Sequence, residues 1–489
     1  MSKKTINSHY VPRLTLRQWS PKLCLFNVKT GEYKEDVKID KAFCEKEFYS
    51  PEVEENLNKK IESQFGDLFN NKILKADSSI ELSRDELWII KKFLFISIVR
   101  SYHSEKSRKS SKNLQKHRNN IHKNQSELSR MNILNEIQFI HNLKMDAEEQ
   151  TNNEARNSIL KSIKEHEKNL SLVQSYYDKY AELMEEASQY ELPFKETEIE
   201  GETPFEHWMR TLNVILDTNG TPEEIYNHPN RTYEAFFWAE IIKGSQIAFW
   251  DSEYVHDEFV ITDMGMTSEN EKGWDQITAM NIRKISFMES VIESAIEKGK
   301  TERNGNLFLH IFNAQYWMDH FTENFMMFPI SPKRMIVHLN PFFKFRAEYK
   351  NIYKRPVPDL DEITEIPNEE LFSPNKVKYI NQPNSLGQPI FHPDDRYIYD
   401  IKKLTSKETI YCNELFLDRI HQWVGFSSLD KALKSIFAYK RRNSLPGYPR
   451  VDYKKLYKII NERYSYCHIN LNSIATPETD WNDFSIFSE

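Results

Sequence analysis

The most apolar run of the chain, Phe93–Val99, predicts a buried helix. Its residues are apolar apart from one serine, so almost no polar face remains. The run is too short to cross a bilayer. The sequence Ser83-Arg-Asp-Glu86 has the pattern of a capping box and predicts the start of this central helix. Arg100 and His103 lie one turn apart at its end, where they could build a polar site. Alternatively, Arg100 completes the helix dipole and pairs with a carboxylate.

Upstream of the central helix, alternating positions predict a β-hairpin followed by another helix. Residues 23–28 and 33–37 flank a turn that contains Gly31, where a positive φ is expected. Residues 44–51 are predicted to form a loop. Pro51 then opens a helix with one apolar face, formed by Leu57, Ile61, Phe65 and Leu68.

A long segment after the central helix has the spacing of a coiled coil. Its apolar positions alternate at intervals of four and three: Ile159, Ile163, His166, Leu170, Val173, Tyr177, Tyr180, Met184 and Ala187. A weaker seven-residue repeat precedes them, and the pattern breaks at residues 148–153. The sequence therefore predicts an antiparallel helical hairpin that projects as an insertion. Alternatively, both helices lie along the body of the protein.

The remaining chain predicts a helix-rich α+β body with short strands. Strands are expected at 246–250, 259–262 and 335–339, and helices at 276–298, 307–326 and 415–437. Residues 347–405 are rich in proline and asparagine and predict an irregular excursion that is ordered in part. The expected division is an N-terminal core part at 1–103, the coiled-coil insertion at 104–190, the rest of the core at 205–440 and a tail at 441–489.

Composition and missing motifs exclude several classes of protein. The net charge of −7 argues against a chain that binds nucleic acid over its whole surface. The four cysteines form no CxxC pair, which favours reduced thiols in a cytoplasm. The N-terminus lacks the apolar core of a signal peptide, so we expect a soluble cytoplasmic protein without membrane segments. Motifs of P-loop, Rossmann, zincin and α/β-hydrolase enzymes are missing.

Several segments in order resemble a widespread bacterial family. They are His9-Tyr-Val-Pro12, the hairpin, Phe48-Tyr49, Glu62, the apolar helix ending in Arg100, Phe259-Val-Ile-Thr-Asp263, Pro329-Ile-Ser-Pro332, and Asn413 before an amphipathic helix. Together they resemble domain of unknown function 4238. The resemblance implies an α+β fold and no settled activity. In this chain Met264-Gly265 stands where the family has Asn-Pro.

Four dispersed polar residues are the candidate catalytic set: His9, Glu62, Arg100 and Asp263. A histidine transfers protons near neutral pH, a carboxylate pair can hold Mg²⁺ or Mn²⁺, and an arginine binds phosphate. Such a set suits phosphodiester cleavage assisted by a metal or by acid–base chemistry. The metal itself is not specified by the sequence. The alternative is a buried polar network that fixes the N-terminal strand to the central helix.

A basic stretch at the start of the predicted arm could follow a phosphate backbone. Its members are Lys106, Arg108, Lys109, Lys112, Lys116, Arg118 and Lys123. Alternatively it is a solvated surface. We therefore expect an intracellular effector, such as a toxin or phage-defence nuclease acting on RNA or DNA. The alternative is a non-catalytic sensor or assembly protein that binds a protein partner, or a second copy of itself, through the arm and a polar pocket.

Overall fold

Helices and mixed sheets make up the computed structural model, so the α+β class is confirmed. The model describes residues 7–46, 51–99, 137, 140–148, 150–164, 166–168, 170–171, 195–219, 222–254, 256–269, 325–339, 374, 376–383, 390, 392–418, 420–441 and 451–464. The chain divides into two compact units. One comprises Met1–Ser110, Trp208–Asn270 and Glu323–Glu489, and the other comprises Ser111–His207 and Glu271–Thr322. Among the described helices, none combines the length and apolar character that a membrane crossing requires.

The strands are β1 (Asn7–His9), β2 (Lys22–Asn27), β3 (Tyr33–Lys38), β4 (Cys44–Lys46), β5 (Ser79–Ser83), β6 (Gln246–Ser252), β7 (Ile261–Thr262), β8 (Thr267–Glu269), β9 (Phe325–Pro329), β10 (Arg334–Leu339), β11 (Lys376–Lys378), β12 (Arg396–Leu404) and β13 (Trp423–Phe426). The helices are α1 (Arg13–Leu16), α2 (Pro51–Leu57), α3 (Ser63–Leu68), α4 (Arg84–Val99), α5 (Pro204–Asp217), α6 (Pro222–Asn227), α7 (Tyr233–Gly244), α8 (Ser406–Asp418), α9 (Leu429–Arg441) and α10 (Lys454–Tyr464). Two π-helical turns, Asn58–Glu62 and Phe69–Ile73, follow α2 and α3.

A seven-stranded sheet is the centre of the first unit. Its order is β11-β12-β6-β10-β9-β8, and β5 also pairs with β12. The pairing of β12 with β6 is parallel, whereas β10 pairs antiparallel with both β6 and β9. Trp250, Met335 and Val337 belong to a buried cluster with residues of α8, α9 and α10. These helices therefore cover one face of the sheet, because side chains alternate between the two faces of a strand.

The N-terminal residues build two further sheets. Strands β1 and β4 form a two-stranded sheet, and a four-stranded sheet has the order β3-β2-β13-β7. The predicted hairpin of β2 and β3 is confirmed, and its turn contains Gly31 with a φ of 72°. Residues of α10 lie in the predicted tail and contact this hairpin: Lys455 Nζ donates to the carbonyl of Thr30 at 2.6 Å, and Arg463 pairs with Glu35.

The predicted capping box at the start of α4 is also confirmed. The amide of Glu86 donates to Ser83 Oγ at 3.1 Å, and the amide of Ser83 donates to Glu86 Oε2 at 2.7 Å. Together the two bonds satisfy amides that the first turn of a helix leaves without a partner. The residues Phe93–Ile96 are all buried, as the apolar run predicts.

Four predicted element assignments differ in part from the structure. The predicted helix 415–437 is interrupted by β13, which pairs with β2 and β7. The predicted loop at 44–51 begins with β4 and ends at the start of α2. The predicted irregular region 347–405 contains β11 and β12. The last two residues of the predicted helix 307–326 belong to β9, which starts at Phe325, and the rest of that prediction lies outside the described residues. In each case pairing with another strand, near or distant in sequence, decides the local structure. The predicted helix 276–298 lies outside the described residues.

The described part of the second unit contains two packed helical segments. Residues 140–148 and 153–164 are helical, and the chain reverses between them. Asn152 Oδ1 accepts the amides of Glu154 and Ala155, so it caps the second segment. The apolar contact joins Ile140, Ala147 and Ile163 with Leu143, Ile159 and Leu170. Most of the predicted coiled-coil insertion lies outside the described residues.

Candidate functional site

Asp263 follows strand β7 and receives hydrogen bonds from the segment that leads into β13. Its Oδ1 accepts the amide of His421 at 3.2 Å, and its Oδ2 accepts the amide of Trp423 at 2.9 Å. The amide of Asp263 itself donates to the carbonyl of Trp423 at 2.9 Å. The residue is only 2% exposed. The carboxylate thus satisfies buried amides that β-pairing alone would leave without acceptors.

The carboxyl group of Asp263 has an unusual acidity. Burial raises its pKa to about 6, although hydrogen bonds from the amides of Trp423, His421 and Gln422 act to lower the pKa. A carboxyl group of this pKa could exchange a proton near neutral pH. However, both of its oxygens already accept amides inside the protein. The chemistry available to Asp263 is therefore that of a buried structural acceptor.

His9 ends strand β1 and lies opposite Cys44 on β4. It is 3% exposed. Two residues later, Val11 contacts the turn after Asp263: a methyl group placed on Gly265 would lie 3.4 Å from Val11 Cγ2. Tyr10 and Val11 also share a buried cluster with Ile261. The fold therefore brings the His9-Tyr-Val-Pro12 segment and the Asp263 turn together, but encloses both.

The turn itself tolerates the Met264-Gly265 pair. The amide of Gly265 donates to the carbonyl of Thr262 at 2.9 Å and closes a tight turn. Gly265 has a φ of 68°, a backbone conformation that glycine adopts without strain. Asp263 is thus held in place by a turn different from the Asn-Pro turn of the family pattern.

Glu62 belongs to a different part of the first unit. It is half-buried at the end of a π-helical turn, just before α3. Phe65 of α3 stacks on Phe93 of α4 with ring centroids 3.8 Å apart, and Lys72 Nζ contacts Glu86 Oε2 at 2.6 Å. Higher residue numbers in the segment Ser63–Ile73 contact lower residue numbers on α4, so this segment and α4 run antiparallel. This alignment places Glu62 beside the last described turn of α4.

The other predicted functional residues lie outside the described residues. They are Arg100 and His103 at the end of the central helix, and the basic residues Lys106, Arg108, Lys109, Lys112, Lys116, Arg118 and Lys123.

Asn413 on α8 is fully enclosed and makes three hydrogen bonds. Its Oδ1 accepts the amide of Val260 at 2.9 Å, and its Nδ2 donates to the carbonyl of Glu258 at 2.8 Å and to Ser435 Oγ at 2.9 Å. One amide side chain thus joins α8, α9 and the loop before β7. The loop is also held by Lys434, whose Nζ lies 3.0 Å from Asp257 Oδ1.

His338 is buried in the central sheet on β10. Burial lowers its pKa to about 3, and the nearby positive charge of Lys91 lowers the pKa further. The imidazole is therefore neutral at physiological pH. A neutral, enclosed histidine fits a core position better than a proton-transfer role.

Comparison with known proteins identifies the family of this chain. A family model described as "Protein of unknown function (DUF4238)" matches residues 7–430. The chain belongs to this family. The resemblance drawn from His9-Tyr-Val-Pro12 and the later segments is thereby confirmed. No curated protein and no solved structure matches the DUF4238 chain significantly.

Sequence reasoning missed a buried lysine and a buried ion pair of this DUF4238 protein. Lys92 is 6% exposed, and its Nζ donates to the carbonyls of Leu216 and Thr218 at 3.1 Å each, at the C-terminal end of α5. A lysine directly before the apolar run Phe93–Val99 was the available signal. Because Lys92 lies in a buried helix, its charge needs acceptors from another element, here the carbonyls at the end of α5.

The second missed group is a buried ion pair in the central sheet. Arg334 binds Asp251 with Nε at 2.6 Å and Nη2 at 2.7 Å, and Lys403 Nζ lies 2.7 Å from the same carboxylate. Arg334 Nη2 also donates to the carbonyl of Ala76 at 2.7 Å. This DUF4238 chain thus uses the pair to fix the segment before β5 to the sheet. Nothing in the spacing of these residues along the chain indicates the contact.

Proposed function

We propose that this protein is a non-catalytic sensor or assembly protein that binds a partner through its helical hairpin. The observation that carries the proposal is the enclosure of two of the four candidate catalytic residues. His9 is 3% exposed and Asp263 is 2% exposed. A catalytic group must reach a substrate, whereas a polar network that stabilises a binding scaffold need not.

In this proposal the body is a scaffold and the hairpin is the binding element. The hairpin continues as an antiparallel coiled coil across the predicted insertion, residues 104–190. Its partner is a protein, or nucleic acid bound by the basic stretch from Lys106 to Lys123. The proposal includes a cytoplasmic location, which the scattered cysteines favour.

A second candidate function is an effector nuclease, such as a toxin or a phage-defence enzyme. The observation that favours it is the position of Glu62 beside the last described turn of α4, since Arg100 directly follows Val99 in the sequence. A carboxylate and a guanidinium at this helix end could bind a metal ion and a phosphate. Such a site would omit Asp263.

A cleavage assay separates the two functions. Purified full-length protein is incubated with labelled RNA and labelled DNA, in Mg²⁺ and in Mn²⁺, and compared with Glu62→Gln and Arg100→Ala. Glu55→Gln is the matched control, because Glu55 is an exposed carboxylate on the same helix. We expect the same background in all four proteins. Cleavage lost in Glu62→Gln and Arg100→Ala, but kept in Glu55→Gln with unchanged Tm, would establish the nuclease instead.

Binding to nucleic acid is tested separately. Lys112, Lys116 and Lys123 are replaced together by glutamine, and affinity for RNA and DNA is measured at several salt concentrations. Phosphate contacts would make the affinity fall steeply with salt, and the triple variant would weaken the slope. If neither variant nor salt changes binding, the basic stretch is a solvated surface.

A further inference from the structure

The loop before α5 brings two glutamates to one histidine. Glu196 and Glu202 flank a turn in which the amide of Glu202 donates to the carbonyl of Ile199 at 3.2 Å. Gly201 has a φ of 74° in this turn, which glycine adopts without strain. His207 follows near the start of α5. The two carboxylates and the imidazole therefore all belong to the second unit.

A capping box fixes the helix start that carries this histidine. The amide of Thr203 donates to Glu206 Oε2 at 2.8 Å, and the amide of Glu206 donates to Thr203 Oγ1 at 3.2 Å. The amide of His207 donates to the carbonyl of Thr203 at 2.9 Å and continues the helical pattern. The backbone that holds the imidazole is therefore already ordered at the point where the loop ends.

One nitrogen of His207 faces both carboxylates. Nδ1 donates to Glu202 Oε2 at 3.0 Å, and Glu196 Oε1 lies 3.4 Å from the same nitrogen. Tetrahedral zinc binds imidazole nitrogen and carboxylate oxygen at about 2.0–2.2 Å, so that neighbouring ligand atoms are roughly 3.4 Å apart. The two distances from Nδ1 are close to this spacing. Small side-chain movements would let all three groups bind one ion.

Burial distinguishes these groups from an ordinary acidic surface. The side chain of Glu196 is 10% exposed, and those of Glu202 and His207 are 6% exposed each. Together the three groups carry a net negative charge in either protonation state of the imidazole, because one positive charge offsets at most one carboxylate. Charges inside proteins are paired or bind metal ions. A divalent cation held between the three groups would offset their charge.

We propose that Glu196, Glu202 and His207 form a zinc site that fastens the loop to the start of α5. The ion takes the place of the proton on Nδ1, so binding releases that proton to solvent. One nitrogen and two oxygens fill three positions of a tetrahedral ion and leave the fourth for water. An imidazole ligand favours Zn²⁺ over Mg²⁺ and Ca²⁺, which prefer oxygen ligands. The site goes beyond the proposed partner binding and is independent of it.

Calorimetry tests the site. Full-length protein is freed of metal with a chelator and titrated with Zn²⁺ in two buffers of different ionisation enthalpy. We expect one tightly bound ion per chain and the release of a proton. Glu196→Gln, Glu202→Gln and His207→Gln should each lower the affinity by at least about tenfold, since even the loss of a group that only orients a ligand has this effect. Glu198→Gln and His141→Gln, at exposed residues of the same unit, are the matched controls and should bind like wild type.

Thermal unfolding provides the second measurement. Zn²⁺ should raise the Tm of wild type, because an ion that binds only the folded chain stabilises it. Mg²⁺ and Ca²⁺ at the same concentration should not. The variants should unfold cooperatively without metal and lack the rise with Zn²⁺. If His207→Gln does not fold, Glu196→Gln and Glu202→Gln decide. The inference is overturned if wild type binds no zinc, if the folded variants bind zinc as tightly as wild type, or if Mg²⁺ raises the Tm equally.

Discussion

Asp263 and Trp423 are joined by two hydrogen bonds of opposite direction. The amide of Trp423 donates to Asp263 Oδ2 at 2.9 Å, and the carbonyl of Trp423 accepts the amide of Asp263 at 2.9 Å. Strands β7 and β13 are very short, and only Thr262 and Ile261 pair with Val424 and Gly425. The side chain of Asp263 therefore extends the pairing beyond the end of β7.

This relationship predicts a pH-dependent stability. The folded pKa of Asp263 is raised from 3.8 to about 6, mainly by burial. Between those values the folded chain keeps a proton that the unfolded chain loses, so the free energy of unfolding falls as pH rises. The step amounts to about 3 kcal/mol from a shift of about two pKa units, and it is complete above about pH 6. Urea unfolding from pH 4 to pH 8 measures it.

The variant Asp263→Asn should lack this step, since an amide does not titrate. The control Asp67→Asn, at an exposed carboxylate, should keep the step. The informative quantity is the difference between wild type and variant at each pH, because other groups titrate in both proteins. A difference for Asp263→Asn that stays constant across the range would contradict the assignment.

Asn413→Ala should destabilise the protein strongly. The change removes one acceptor and two donors from a side chain that is 1% exposed. The groups left behind are buried, and each costs about 1–3 kcal/mol when its partner is lost. We expect a loss of about 3–5 kcal/mol in urea unfolding. Asn70→Ala, at an exposed asparagine with one bond to the carbonyl of Gly66, should cost less than about 1 kcal/mol. Similar losses at the two positions would refute this role of Asn413.

The sequence predicts those parts of the fold that local interactions decide. The hairpin of β2 and β3 follows from alternation and from Gly31, and the start of α4 follows from Ser83 and Glu86. Strand β13 could not be found in this way, because the helical pattern around it continues on both sides. Its conformation depends on pairing with β2, whose residues lie at the other end of the chain.

The candidate site is subject to the same limit. The residues of the family pattern indicate that His9 and Asp263 belong together, and the contact of Val11 with Gly265 agrees. Sequence alone does not reveal whether a polar residue is open or enclosed, since that depends on every element packed around it. Lys92, Arg334 and Asp251 were overlooked for the same reason: their partners come from distant segments.

Lys92→Met should destabilise the protein although it replaces a buried cation with an apolar residue. Lys92 Nζ is the donor for the carbonyls of Leu216 and Thr218, at the end of α5. The loss of charged hydrogen bonds outweighs the relief of burying the charge, and we expect a loss of about 2–3 kcal/mol at pH 7. Lys59→Met, at an exposed lysine paired with Glu55, should change stability by less than about 1 kcal/mol. A stabilised Lys92→Met protein would show that the burial of the charge dominates.

Two glycine-to-alanine changes should shift stability in opposite directions. Gly66 lies in helix α3, and nothing approaches within 4 Å of the position that an added methyl group would take. Gly66→Ala should therefore stabilise the protein by about 0.5–1 kcal/mol, since alanine loses less backbone freedom in a helix.

Gly425 lies in β13, where the methyl group would come within 3.0 Å of Leu25 Cδ2 and of Phe43 Cζ. Phe43 is 3% exposed and has a φ of 49°, so it cannot readily move aside. Gly425→Ala should cost about 1–3 kcal/mol by overpacking, measured by urea unfolding beside Gly66→Ala. Equal effects of the two changes would mean that the β2–β13 contact yields more easily than its packing indicates.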